Sequence, residues 1–194
     1  MKITSISCDN TPKELQLSPL PDEYTGDIEW IKNIPPNVIL TLGGNIFPEH
    51  LQYVELLFTP GSNNATVRTT KPLDADTLEN SYLFYDIFCQ RTGIDEKLKN
   101  ARKLFLNDIN DNSPVFLQTH YSVSISEATE VNLTVIKVEA QDKDVTPDFS
   151  IISYSLLGPN SDYFHIKEGD GNITLKKGLE YKKINSFNLT VQAK

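Results

Sequence analysis

The sequence predicts an all-β chain folded as two tandem β-sandwiches, and three features carry that expectation. Short segments alternate apolar and polar residues at the period of a half-buried strand, two blocks of the chain resemble each other at one fixed spacing, and a polar Asn/Asp-rich stretch ending in proline lies between them.

The alternating runs, in chain order, are 38–42, 53–58 and 104–106, then 121–126, 131–138, 151–156, 173–175 and 187–193. In 121–126, Val123 and Ile125 share one face, as period-two logic requires. Only 95–103 has a helix-like pattern; flanked by strands, it reads as an exposed charged hairpin or turn. Tyr82, Phe84, Phe88 and Phe187 alternate along strands and are expected in the core, as is the sole tryptophan, Trp30. Residues 67–82 can be laid on 173–187, with Leu73-Asp74 over Leu179-Glu180 and Asn80-Ser81-Tyr82 over Asn185-Ser186-Phe187, an offset of about 105 to 106 residues. The division this implies is a first domain over 1–112, with a connecting segment at 108–113, and a second over 114–194.

Charge narrows the function classes. The 194 residues carry 18 Lys+Arg against 26 Asp+Glu, a net charge of −8, with no basic cluster to release counter-ions from nucleic acid or an anionic bilayer. No apolar run approaches the roughly 20 residues of a spanning helix, and the opening residues lack the apolar core of a signal peptide, so an exported protein would begin here as a mature segment. Cys8 and Cys89 are too far apart for zinc or redox Cys-x-x-Cys chemistry and form either one disulfide or two buried thiols. If bonded they close a loop of roughly 80 residues. Sequons at Asn64, Asn132, Asn172 and Asn188 are candidate glycosylation sites and, with the even cysteine pair, favour an extracellular location.

The segment Asp108-Ile109-Asn110-Asp111-Asn112 is a dense set of oxygen donors without a basic residue. Calcium takes six to eight oxygens, and an extended backbone splays alternate donors to opposite sides, so one short segment can serve neighbouring ions. The alternative is a solvated Asx-rich turn. An EF-hand fits Asp108, Asn110 and Asn112 but fails at Ser113, where the loop needs Gly, and at Thr119, where it needs the bidentate Glu; Pro114 disrupts it further.

With Ser113-Pro114-Val115-Phe116 following, this segment resembles the linker of cadherin extracellular repeats, and the resemblance spans nearly the whole chain. It implies two Greek-key repeats, the second lacking its last strand in this chain. Asp142-Lys143-Asp144 matches the family's Asp-x-Asp motif, and Leu73-Asp74-Ala75-Asp76 its Asp-x-Glu motif, with Asp in place of the usual Glu. Glu23 stands for the first-strand Glu, with Asp22 a rival. The resemblance then implies that Glu23, Asp74, Asp76, Asp108, Asp111 and Asp144 anchor two Ca2+ ions, that Asn110, Asp142 and Asp144 hold a third, and that carbonyls of Ile109 and Asn112 complete the shells. Without metal, these carboxylates repel one another, each pair by on the order of 1 kcal/mol.

Two departures follow. Lys182 occupies an acidic position of the second repeat's motif Leu179-Glu180-Tyr181-Lys182, which weakens any site at a later linker to which Glu127 would contribute. The lone Trp30 is too far into the chain for the N-terminal Trp exchange of strand-swapping cadherins. A first repeat pairing Cys8 with Cys89 is more similar to the N-terminal repeats of mucin-like or tip-link protocadherins. The partner implied is another cadherin ectodomain, homophilic or heterophilic, at the cell surface, on a membrane-anchored parent chain whose segment here does not itself insert. A calcium-stiffened spacer without adhesive contact is the rival. No catalytic motif appears, and His50, His120 and His165 are scattered, so no enzyme is expected.

Overall fold

In Val38-Ile39-Leu40-Thr41, Val38 and Leu40 are buried while Ile39 and Thr41 face solvent, the alternation a pleated strand imposes. Strands of this kind build the computed structural model, which describes residues 2–6, 8 and 13–194. They gather into two compact units, Met1–Ile109 and Asn110–Lys194.

In the first unit, β1 (Lys2–Thr4), β4 (Asp27–Lys32), β7 (Asn64–Thr69) and β6 (Val54–Leu57) form one sheet in that order, with β1 parallel to β4. The second sheet runs β2 (Lys13–Gln16), β9 (Lys97–Asn107), β8 (Tyr82–Arg91) and β5 (Val38–Gly43), and β3 (Leu20–Pro21) also pairs with β9. Ile28, Ile31, Val54, Ala65 and Val67 from the first sheet meet Val38, Leu40, Leu83, Ile87, Leu104 and Leu106 from the second. Each large aliphatic side chain buried this way contributes about 1.5–3 kcal/mol. Cys8 and Cys89 form a disulfide with Cα atoms 5.4 Å apart.

One polar group crosses this apolar layer. Glu29 of β4 is fully buried, accepts from Arg102 Nε at 3.0 and 3.1 Å, and also accepts from the hydroxyls of Tyr85 (2.8 Å) and Thr4 (2.7 Å). Four strands from both sheets thus converge on one carboxylate. Burial, and next the Glu29 charge, push the Tyr85 hydroxyl well above the ordinary tyrosine value of 10.0, with Arg102 opposing.

The second unit is assembled from smaller sheets: β10 (Val115–Phe116) with β12 (Ala140–Gln141); β11 (Thr134–Lys137), β15 (Asn172–Leu175) and β14 (Phe164–Ile166); and β13 (Tyr154–Leu157) with β16 (Thr190–Ala193). Val138, Tyr154, Phe164, Ile166, Ile173 and Leu175 form its core, with Phe187 packed edge-on against Phe164 as the sequence led one to expect. Gly171 has φ 68°, and a Cβ there would stand 2.2 Å from the Val138 carbonyl, so this turn admits only glycine.

Four expectations are corrected. Trp30 is not core: a register shift between Asp27 and Glu29 turns both Ile28 and Glu29 inward, so the following alternation buries Ile31 and points Trp30 out, 37% exposed. Tyr82, Phe84 and Phe88 are half-buried on the outer face of β8, because Leu83, Tyr85, Ile87 and Cys89 hold its inner face; Phe84 stacks with Phe47 and His50 instead, and Tyr82 lies tilted against Phe84 and Phe105. Residues 97–103 are no exposed hairpin but the first part of β9, where Asn100 and Arg102 are buried. Residues 121–126 form no strand: Ile125 packs on the core, Val123 stays exposed, and no described strand pairs with them. Alternation supplies a face, but a strand also needs a neighbour to complete its ladder.

Candidate metal centre

The acidic residues named from the sequence lie in both units, and the backbone fixes each set separately. In the first unit, the residues after β3 run beside the end of β9, where Pro21 pairs with Asn107 and Asp22 N–H donates to the Asn107 carbonyl at 3.0 Å. The chain then crosses to the loop before β8: Glu23 N–H donates to the Leu73 carbonyl (2.7 Å), and Leu73 N–H to that of Tyr24 (3.2 Å). These bonds bring Asp22, Glu23 and Asp74 to one end of the unit, where β9 runs out into Asp108.

Asp22 and Glu23, the rivals for one ligand position, have different surroundings. Asp22 is buried, and its Oδ1 accepts from the N–H groups of Ala75 (2.9 Å) and Glu23 (3.0 Å), so this carboxylate braces the loop. Glu23 is exposed and has φ 55°, a left-handed conformation that costs a non-glycine residue about 1–3 kcal/mol and that concentrates at functional sites. Asp74 Oδ1 accepts from Asp76 N–H (2.9 Å) and Thr77 N–H (3.2 Å), an Asx-turn that sets the direction of Asp76. Asp76 and Asp108 are half-buried.

In the second unit, Val115 pairs with Gln141 and thereby sets Asp142-Lys143-Asp144 beside Asn112. Asn112 donates to Asp144 Oδ1 twice, from its backbone N–H at 3.1 Å and from Nδ2 at 2.9 Å, and Nδ2 also donates to Asp111 Oδ1 at 3.0 Å. Asp144 N–H donates to Asp142 Oδ1 at 3.0 Å. Asp144 is 5% exposed, and its buried Oδ2 accepts no hydrogen bond from the described residues. A buried carboxylate oxygen left in that state is costly, and a hard cation, which takes carboxylate oxygens as ligands, would satisfy it. The residues present therefore fit calcium on an observation independent of motif spacing. Asn110 and Ile109 are exposed on either side of the division between the units.

Sequence reasoning missed the buried Glu29–Arg102 pair. The pattern held a trace of it, since Arg102 falls in phase with the inward-facing Leu104 and Leu106, but a strand-period argument does not say what a buried cation pairs with.

Comparison with known proteins agrees with this fold. Residues 121–194 match the cadherin domain family model. The chain is 36% identical over 138 residues to the Fat-like cadherin-related tumor suppressor homolog of Drosophila melanogaster, and 32% identical over 139 residues to human Protocadherin Fat 1. Each match covers 70% of this chain and 3% of that protein, so the chain spans a small part of these relatives. Among solved structures, Protocadherin Gamma B2 extracellular cadherin domains 3-6 superposes with TM-score 0.72 at 24% identity, covering 91% of this chain and 43% of that one. Mouse Cadherin-23 EC22-24 gives TM-score 0.65 at 22% identity, over 94% and 56%. The chain belongs to the cadherin superfamily. It is a non-enzymatic module of tandem β-sandwiches, and no described helix is long and apolar enough to cross a membrane.

Proposed function

We propose that the chain is a calcium-dependent adhesion ectodomain of two cadherin repeats, 1–112 and 114–194, joined through the segment 108–113. Calcium at that segment stiffens the joint, and the first repeat contacts another cadherin ectodomain, homophilic or heterophilic. The parent chain is anchored in the membrane and presents this segment at the cell surface. Glu23, Asp74, Asp76, Asp108, Asp111 and Asp144 hold two ions with the Ile109 and Asn112 carbonyls, and Asn110, Asp142 and Asp144 hold a third. The observation that carries this reading is Asp144: one carboxylate oxygen fixed by two donations from Asn112, the other buried with no hydrogen-bond partner among the described residues. The left-handed backbone of Glu23, and the bracing role that occupies Asp22, support Glu23 as the first-unit ligand.

Calorimetric titration with calcium tests the ligand set. Asp111→Ala should lower calcium affinity about tenfold or more, the equivalent of at least one lost charged ligand. Asp144→Asn keeps an oxygen for Asn112 but removes the anionic donor; it should lower affinity similarly while leaving thermal stability in chelator unchanged or higher. Wild-type affinity in both variants would sink the assignment. Bead aggregation in millimolar calcium against chelator then tests adhesion: calcium-dependent clustering establishes homophilic contact, whereas dispersed beads that a cadherin partner cannot bridge favour the spacer reading.

A further inference from the structure

Trp30, displaced to the outer face by the bulge in β4, has its indole N–H held by Asp27 Oδ2 at 3.0 Å. The ring is therefore fixed rather than loose. Its neighbours across the sheet are Ile3 on β1 and Thr66 on β7, and Leu57 on β6 lies opposite Thr66. Ile3 is 62% and Leu57 44% exposed, so three of the four strands present an apolar side chain on the solvent side, with Thr66 of β7 between Trp30 and Leu57. Ile3 and Trp30 are direct cross-strand neighbours, and exposed apolar side chains grouped in this way mark a surface that something covers. Lys32 Nζ stands over the same ring, 5.9 Å from its centroid.

Thr66 is also the third residue of the sequon Asn64-Ala65-Thr66. Ala65 is buried, so Asn64 and Thr66 emerge on the same outer face as Trp30. Asn64 stands opposite Lys32, the residue two beyond Trp30 on the facing strand. Diagonal neighbours of this kind lie about 7–8 Å apart, within reach of a long side group. Asn64 is exposed and opens β7 directly after the turn closed by the Ser62 N–H to Thr59 carbonyl bond, where a modifying enzyme has access.

We propose that Asn64 carries an N-linked glycan whose first sugar lies on the Trp30 ring and closes this outer face of the β1–β4–β7–β6 sheet to protein partners. The inference rests on the extracellular reading above, because the donor is an oligosaccharide linked to a lipid diphosphate in the secretory pathway. In the transfer, the Asn64 Nδ2–C bond to the anomeric carbon forms and the C–O bond to the diphosphate breaks. The lipid diphosphate leaves with the electron pair, and Nδ2 loses a proton to the transferase. The apolar C–H face of the sugar then meets the electron-rich face of the indole, the kind of contact a fixed aromatic ring favours. Adhesive contact by the first unit must use another of its surfaces.

The chain's single tryptophan makes the test direct. The chain is secreted from glycosylating eukaryotic cells, site occupancy is read by peptide mass spectrometry, and Trp30 exposure by acrylamide quenching. Asn64 should be occupied, and Asn64→Gln should raise the quenching constant about twofold, as expected when a second ring face opens. Endoglycosidase trimming to one sugar should leave it at the wild-type value. A bare Asn64 in a secreted chain modified at another sequon overturns this inference alone, and so does equal quenching in wild type and variant. A secreted chain bare at every sequon overturns it together with the extracellular reading. Calcium affinity of Asn64→Gln, expected at the wild-type value, confirms that the variant is folded.

Discussion

At the scale of single residues, the strongest constraint in the first unit is the carboxylate of Glu29. Three side chains donate to it, from β1, β8 and β9, and all are buried. A buried pair of this kind adds little over an apolar replacement, but removing one member leaves an uncompensated charge and costs about 3–5 kcal/mol. Arg102→Met should therefore lower unfolding free energy by about 3–5 kcal/mol in urea, and Glu29→Leu combined with Arg102→Met should recover most of the loss. Tyr85 adds a pH dependence. Its folded value lies above the ordinary one, so above about pH 10 the unfolded chain loses this proton while the folded chain keeps it. Stability should be flat below that pH and fall above it, and Tyr85→Phe should flatten the alkaline slope. A slope unchanged in Tyr85→Phe would show that the fall arises elsewhere. Only the inward phase of Arg102 was legible in the sequence, because a charged residue in a strand announces its position but not its partner.

At the scale of elements, legibility followed the physics of each strand. β5, β6 and β15 were readable because alternation alone decides a strand that pairs on both sides or packs a full inner face. β4 was not among the runs read as strands; within it one extra residue inverts the face of everything after it, which is why Trp30, expected in the core, stands at the surface. Residues 121–126 had the pattern but no pairing partner among the described strands. The acidic motifs were legible through spacing, yet the division of work between Asp22 and Glu23 depends on backbone bonds from Ala75 and Leu73 that no spacing reveals. The disulfide is the one long-range link the sequence offered as an alternative, and it ties the segment before β2 to β8 across 81 residues. On the chain-entropy estimate, closing that loop stabilises by about 4–5 kcal/mol. Cys8→Ser with Cys89→Ser should lower the stability of the first unit by up to that amount while leaving the second unit's melting transition in place. A single shared shift of both transitions would show instead that the units unfold together.

At the scale of the whole molecule, the net charge of −8 and the placement of the donors decide how the chain responds to salt. The division between the units falls between Ile109 and Asn110, inside the acidic segment rather than beside it. On the proposed reading the carboxylates at the joint repel one another in chelator, and that repulsion is screened over about 30 Å at 0.01 M ionic strength but about 8 Å at 0.15 M. Raising salt in chelator should therefore raise the melting temperature and reduce the radius of gyration measured by small-angle scattering. With calcium bound, the ions neutralise the same groups and the dependence should nearly vanish. Calcium at about one hundred times its dissociation constant should add about 2.7 kcal/mol to whichever unit holds the ligands. The Asp111→Ala variant should respond to calcium less and to salt in chelator less, because it lacks both a ligand and a repelling charge. A salt response equal in calcium and in chelator would place the acidic residues on an ordinary solvated surface, and the joint would then owe its geometry to the chain itself.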